Sequence, residues 1–211
     1  VSPLCFFLCV HLGALAQKHD YQWIIGLDHK NAPVVDTYGL VRLDFNYLNR
    51  PKMIKLPKTD MYFTGTNASM SDSSGRLLFY SNGSKIFGWN HQLMQNGDTL
   101  SPYYERLGQR NPQGILSLPF PEQKNRYIFL NKEVINNGFI TATSKMFSGV
   151  VDMQMNSGKG KVISKRNIIV TDTLEYAHIT ACRHANGRDW WVLQPEEDAN
   201  RFYRFYIGPE G

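Results

Sequence analysis

The sequence predicts an all-β protein, and three observations carry that expectation. Helical periodicity is nearly absent after residue 17, where an amphipathic helix would repeat apolar residues every three to four positions. The apolar runs are short, rich in Val, Ile, Tyr, Phe and Trp, and bounded by Gly, Asn, Asp or Pro, which is the pattern of strands and turns. The 211 residues are 42% hydrophobic and 13% aromatic with 19% charged, enough to bury a sizeable core and unlike disordered, collagen-like or Pro-rich chains.

Residues 1–16 stand apart. Leu4 to Leu15 reads LCFFLCVHLGAL, too short to cross a bilayer, which takes about 20 residues. It runs into Ala14-Leu15-Ala16 before Gln17, a small-x-small cleavage pattern. A cleaved signal peptide is expected, its basic n-region missing because the chain opens on Val1. The chain is therefore expected to be a fragment. Residues 1–16 carry no charged side chain, so the net charge of +5 belongs to residues 17–211, read as one β domain. No later stretch is apolar enough to predict a membrane span. Cys5 and Cys9 would leave with the signal, and Cys182 is expected as a small buried hydrophobe in a strand.

Strands are expected near 21–27, 39–46, 53–56, 61–64, 77–81, 85–89, 114–119, 126–131, 149–155, 161–170, 175–182, 188–194 and 201–207. The best helical candidate, Glu133 to Phe147, is broken by Asn136-Asn137-Gly138 and filled with Ile and Thr, which suit strands and turns. Three runs are continuously apolar: Leu77 to Tyr80, Tyr127 to Leu130 and Trp190 to Leu193. Such strands need cover on both faces. Each follows a polar turn, at Asp72 to Arg76, Glu122 to Arg126 and His184 to Asp189, and Leu77, Tyr127 and Trp190 lie 50 and 63 residues apart. Blade repeats run about 40–50 residues. The spacing therefore predicts a partial, truncated β-propeller of about four antiparallel blades, with a β-sandwich or jelly roll as the alternative.

Two hairpins fit this unit. Asn82-Gly83 between apolar strands predicts a tight turn with positive φ at both residues. Ser157 to Lys161 joins two strand patterns and lacks the spacing of a phosphate-binding loop.

Ala68 to Gly97 (ASMSDSSGRLLFYSNGSKIFGWNHQLMQNG) resembles the first-blade segment of secreted, WD40-like β-propeller proteins of Bacteroidetes type. These proteins often carry a gliding-motility-associated or type IX secretion sorting domain at the C-terminus. The resemblance continues through Val151-Asp152-Met153 and through Arg183 to Val192, spanning roughly residues 60–207. It implies an exported or cell-surface propeller of undetermined activity, with Asp72, Gly75, Asn82, Gly83, Asn186, Gly187 and Asp189 as turn architecture. No sorting domain follows the last strand, so the propeller is expected to be incomplete, with an open edge prone to self-association.

Catalytic signatures are sparse: no G-x-S-x-G elbow, H-E-x-x-H, EF-hand loop or dinucleotide fingerprint occurs. His19, His29, His91, His178 and His184 form no metal-helix pair, and no metal or cofactor is expected. Glu196-Glu197-Asp198 reads as a solvated hairpin tip. Asp72 and Asp189 precede apolar strands, where a carboxylate accepts backbone N–H groups. Trp89, Tyr103, Tyr104, Tyr203 and Tyr206 are aromatic candidates for stacking on sugar or peptide, against a role in inter-blade packing. Lys159, Lys161, Lys165 and Arg166 lie along one hairpin and read as a solvated edge; export argues against nucleic acid as a partner. Asn67-Ala68-Ser69 and Asn82-Gly83-Ser84 match the glycosylation sequon.

The sequence thus points to a non-enzymatic, secreted or cell-surface interaction module. Its partner would be a protein or glycan, with Trp89, His178, His184 and Tyr203 as binding candidates. A secreted polysaccharide-acting or hydrolytic enzyme is the alternative.

Overall fold

The computed structural model describes residues 17–26, 39–47, 49–101, 108–136 and 141–211. Thirteen strands occur among these residues: β1 (Gln22–Gly26), β2 (Leu40–Asp44), β3 (Lys52–Lys55), β4 (Ala68–Ser71), β5 (Leu77–Ser81), β6 (Ile86–Gly88), β7 (Ile115–Pro119), β8 (Arg126–Asn136), β9 (Thr141–Asp152), β10 (Lys161–Leu174), β11 (Thr180–Arg183), β12 (Trp190–Pro195) and β13 (Phe202–Ile207). A 3-10 turn at Asn156–Gly158 is the one helical element described. The strands form four antiparallel sheets in chain order: A (β1-β2-β3), B (β4-β5-β6), C (β7-β8-β9-β10) and D (β11-β12-β13). That is an all-β architecture of four small sheets where a sandwich has two. The expected signal peptide, His29, Tyr103 and Tyr104 lie outside the described residues.

Three apolar cores alternate with the sheets. Between A and B lie Ile24, Leu40, Phe63, Leu77, Tyr80 and Phe87. Between B and C lie Met70, Phe79, Ile86, Tyr127, Phe129 and Val151. Between C and D lie Ile128, Leu130, Met146, Leu174, Val192 and Ile207. Sheets B and C are therefore covered on both faces, which is why Leu77 to Tyr80 and Tyr127 to Leu130 are apolar without interruption. In β8 the assignment alternates strictly, Tyr127 and Phe129 towards B, Ile128 and Leu130 towards D, as period-2 side chains must.

The third apolar run departs from expectation. Trp190 and Val192 pack towards C, but Trp191 and Leu193 are only half-buried, because the described sheets end at D. Sheet A shows the same feature at the other end, with Trp23, Ile25 and Met53 exposed. Their cross-strand partners Leu43 and Val41 share that face.

Leu77, Tyr127 and Trp190 occupy equivalent places. Each lies at the start of the second strand of its sheet, as first residue in β5 and β12 and second in β8, and pairs with the last residue of the first strand: Ser71 with Leu77, Pro119 with Tyr127, Arg183 with Trp190. Each also reaches back towards the preceding sheet. Leu77 joins the core with A, Tyr127 meets Phe79 edge-on at 5.6 Å, and the Trp190 indole N–H donates to the Pro119 carbonyl at 3.0 Å. The hairpins of B, C and D thus share one end of the molecule, the turn end. Sheet A is reversed: the Ser71 N–H donates to the His19 carbonyl and the Ile24 N–H to Ser69 Oγ, so β1 runs antiparallel to β4.

Several sequence expectations are corrected. Residues 61–64 are not a strand; Met61 and Phe63 are core residues on a loop. The strand lies instead at Ala68–Ser71, whose Ser-Met-Ser pattern is weakly apolar and is paired to β5 by backbone hydrogen bonding. At the β5–β6 turn only Gly83 has positive φ, +81°. Asn82 holds the turn through its side chain, Oδ1 accepting from the N–H groups of Ser84 and Lys85 at 3.0 and 2.9 Å, an Asx device that needs no left-handed asparagine. Cys182 is exposed, on the outward face of sheet D opposite Trp191, because alternation places Ala181, not Cys182, towards the core.

Gly149 has a packing reason. It pairs with Phe129 across β8 and β9, and a Cβ there would collide with the Phe129 ring and lie 2.7 Å from the Ser164 carbonyl oxygen. Gly149→Ala is expected to destabilise the protein by about 1–3 kcal/mol, the usual cost of overpacking. Urea denaturation measures it, and adding Phe129→Leu is expected to recover part of the loss.

Candidate functional site

The sequence candidates do not converge. His178 sits before β11 at the end opposite the turns, its Nδ1 3.1 Å from Glu175 Oε2. Tyr203 faces sheet C, its hydroxyl donating to Asp172. His184 lies at the turn end of D beside Trp191 and Tyr206, with ring centroids 5.3 and 5.6 Å away. Trp89 follows β6 and stands at the turn end between sheets B and C, its indole N–H donating to the Gly158 carbonyl at 3.3 Å. Of the other histidines, His19 contacts the Ser71 carbonyl and His91 the Tyr80 hydroxyl.

The turn motifs are built from carboxylates and amides. Asp72 Oδ1 accepts the N–H groups of Ser74 and Arg76 and the Ser74 hydroxyl, while Oδ2 pairs with Arg76 Nε at 2.8 Å. Burial alone would push the Asp72 carboxyl up. The Ser74 and Arg76 bonds outweigh it and hold the group at about 2.

In the D turn the roles are redistributed. Asn186 Oδ1 takes the N–H groups of Arg188 and Asp189, each at 3.0 Å. Asp189, expected as a backbone acceptor, instead receives Arg188, Asn186 Nδ2 and the Tyr206 hydroxyl through its side chain. The Arg188 bond is the main cause that lowers its carboxyl well below the usual range. Lys165 of the basic hairpin is likewise engaged, its Nζ donating to the carbonyls of Asn96 and Asp98, the Asp98 carboxylate and Thr99 Oγ1. Glu196 of the acidic loop pairs with Arg201. Asn82 of the second sequon is buried, with its side chain held by the turn and by the Tyr62 carbonyl.

At the turn end, a groove of about 600 Å³ opens where sheets A, B and C meet. Sheet A contributes Gln22, Arg42 and Asp44, followed by Asn46. Sheet B contributes the Asp72–Arg76 turn, Leu77, Leu78 and Trp89, and sheet C contributes Asn125, Met153 and Gly158. Asp44 Oδ1 accepts the backbone N–H and Nδ2 of Asn46 at 3.0 and 2.9 Å. Burial opposes these bonds, yet with help from Gln22 and Arg42 they lower the Asp44 carboxyl below its usual value. Gln22 Nε2 and Asn46 Nδ2 both donate to the Gly75 carbonyl at 2.8 Å, which joins sheet A to the B turn.

Of this groove, sequence reasoning singled out Trp89 as a binding candidate and Asp72 and Gly75 as turn architecture. It missed Gln22, Arg42, Asp44 and Asn46. Asp44-Phe45-Asn46 carries a local turn signal, but only the reversal of sheet A brings it beside Gly75. Among the described residues no group of three or more His, Cys, Asp or Glu is placed to hold a metal ion, and no helix is long and apolar enough to cross a membrane. Comparison with family models, curated proteins and solved structures gives no match to the chain.

The Asp72 bonds give a pH signature. Its folded pKa lies below the unfolded value, so its contribution is complete above about pH 4 and fades as pH falls towards 2. Asp72→Ala is expected to cost about 1–3 kcal/mol at pH 7. Urea denaturation at pH 7 and near pH 2.5 tests this: the gap between the two proteins should narrow in acid.

Proposed function

We propose that the chain is a non-catalytic interaction module of propeller type, belonging to an exported or cell-surface protein. The observation that carries this reading is the repetition of one unit. Sheets B, C and D follow in chain order, each packs on the last, and each sends its first hairpin to the same end. First strands β4 and β7 are neighbours, and Ser69, Ser117 and Arg183 from β4, β7 and β11 line one cavity. Radial stacking of such units is what a propeller requires. The resemblance of Ala68–Gly97 and Arg183–Val192 to exported propellers points the same way.

A binding role fits the chemistry better than hydrolysis. A glycoside hydrolase needs one carboxyl kept protonated as the general acid. Both groove carboxylates, Asp44 and Asp72, are instead drawn down by hydrogen bonds. The carboxylates of the other turns are tied to arginine, Glu122 and Asp189 both to Arg188, and Asp152 at the end of β9 is tied to Arg126.

Export rests on residues 1–16. N-terminal sequencing of the protein recovered outside the cytoplasm is expected to begin at Gln17; a secreted form retaining those residues would count against the leader assignment.

The open edge of this reading is physical. The outward faces of sheets A and D expose Trp23, Met53 (70%) and Phe202 (62%), a pattern that marks association surfaces. The occupant in isolated protein is a second copy of the chain. Sedimentation at rising concentration is expected to show association that Met53→Glu and Phe202→Glu weaken. A monodisperse monomer at every concentration would sink the open-edge reading.

A further inference from the structure

We propose that the groove between sheets A, B and C is a binding site for a neutral oligosaccharide, with Trp89 as its stacking platform. The inference deepens the interaction-module reading and rests on it in one respect, that the sugar leaves unchanged. Trp89 is large, aromatic and 49% exposed, yet its ring is not loose. Its N–H is anchored on the Gly158 carbonyl of the neighbouring sheet, and the turn that carries it is closed by the His91 N–H donating to the Gly88 carbonyl at 2.9 Å. A half-exposed indole fixed at a groove edge offers an apolar plate at little conformational cost. Sugar rings present C–H faces that match such a plate.

The polar lining supplies the second half of the argument. Gln22 is 2% exposed, and its Oε1 has no hydrogen-bond partner; the Nε of Arg42 is also buried and unpartnered. Buried polar atoms without partners carry a desolvation penalty that a ligand can relieve. Around them Asp44 and Asp72 are balanced by Arg42 and Arg76, so the four charged side chains sum to zero. An anion would meet two carboxylates, and a cation two guanidinium groups. A neutral polyol meets neither penalty and can both donate and accept along planar amide, carboxylate and guanidinium edges. Buried Leu77 and Met153 give the groove an apolar side, leaving the polar groups to fix orientation.

Isothermal titration and saturation-transfer NMR on the full chain test the site, using gluco-, manno-, xylo- and galacto-oligosaccharides with oligogalacturonate as the acidic control. Saturable binding of at least one neutral probe is expected. Trp89→Ala should weaken it about tenfold, Trp89→Phe less, and Trp191→Ala on the outer face of sheet D not at all. Thermal melting of each variant separates loss of the platform from loss of the fold. No binding of any neutral probe, affinity unchanged in a folded Trp89→Ala protein, or preference for oligogalacturonate would overturn the proposal. Chromatography of the recovered probe completes the test. An intact sugar supports both readings, whereas shortened products would retain the sugar site and remove the non-catalytic reading.

Discussion

Cover on both faces is the constraint from which this structure follows. A three- or four-stranded sheet has two faces, and an apolar face left in water is costly, at about 25 cal/mol per Å². Sheets B and C meet that demand by lying between neighbours, so their second strands carry the uninterrupted apolar runs Leu77 to Tyr80 and Tyr127 to Leu130. Phe129 then needs a residue without a side chain opposite it, and Gly149 fills that place. The backward reach of Leu77, Tyr127 and Trp190 is the same constraint seen at the hairpin, where an apolar residue at the start of the second strand closes the boundary with the sheet before it. Among the described residues sheets A and D have one neighbour each, and they carry the unbalanced faces.

Apolar cores set the spacing of the sheets, and polar seams tie their ends. Opposite the turns, buried side chains staple the connecting loops to the sheets beside them: Asn82 Nδ2 to the Tyr62 carbonyl, Gln109 Nε2 to that of Lys132, Asn131 Nδ2 to that of Leu100, and Gln194 Nε2 to that of Glu175. Lys132 is the extreme case. It is wholly buried, and its ammonium donates to the carbonyls of Glu175, Tyr176 and His178. Burial pulls its pKa down to about 8 against the opposing charge of Glu175. The carbonyls it caps belong to the chain entering sheet D, so one side chain of C terminates a loop that has no ladder of its own.

Much of the fold was legible because strand chemistry is local. β-Branched and aromatic runs between Gly, Asn and Asp located twelve of the strands, and the equivalence of Leu77, Tyr127 and Trp190 holds in the register of three hairpins. β4 was illegible because Ala-Ser-Met-Ser has no apolar run. Met61 and Phe63 looked like a strand because a core loop also needs apolar residues. Asn82-Gly83 announced a turn correctly, but which torsions it adopts depends on whether the asparagine side chain or its backbone closes it. The site was less legible than the fold: Trp89 was visible as an unusual aromatic, whereas its polar surroundings come from sheet A, more than forty residues earlier, in an orientation no local pattern encodes.

The groove also illustrates why binding and stability are hard to separate here. Asp72 lines it while closing the B turn, and Asp44 lines it while closing the turn after β2. Gln22 and Asn46 line it while holding the Gly75 carbonyl. The bonds that fix these groups for the fold also fix them for a ligand, so a bound molecule need not order them. Trp89 differs. Its ring belongs to none of the three apolar cores, and its one hydrogen bond anchors the indole edge without burying its face. Removing the ring takes away little that the sheets need, which makes Trp89 the position where recognition is most nearly separable from folding.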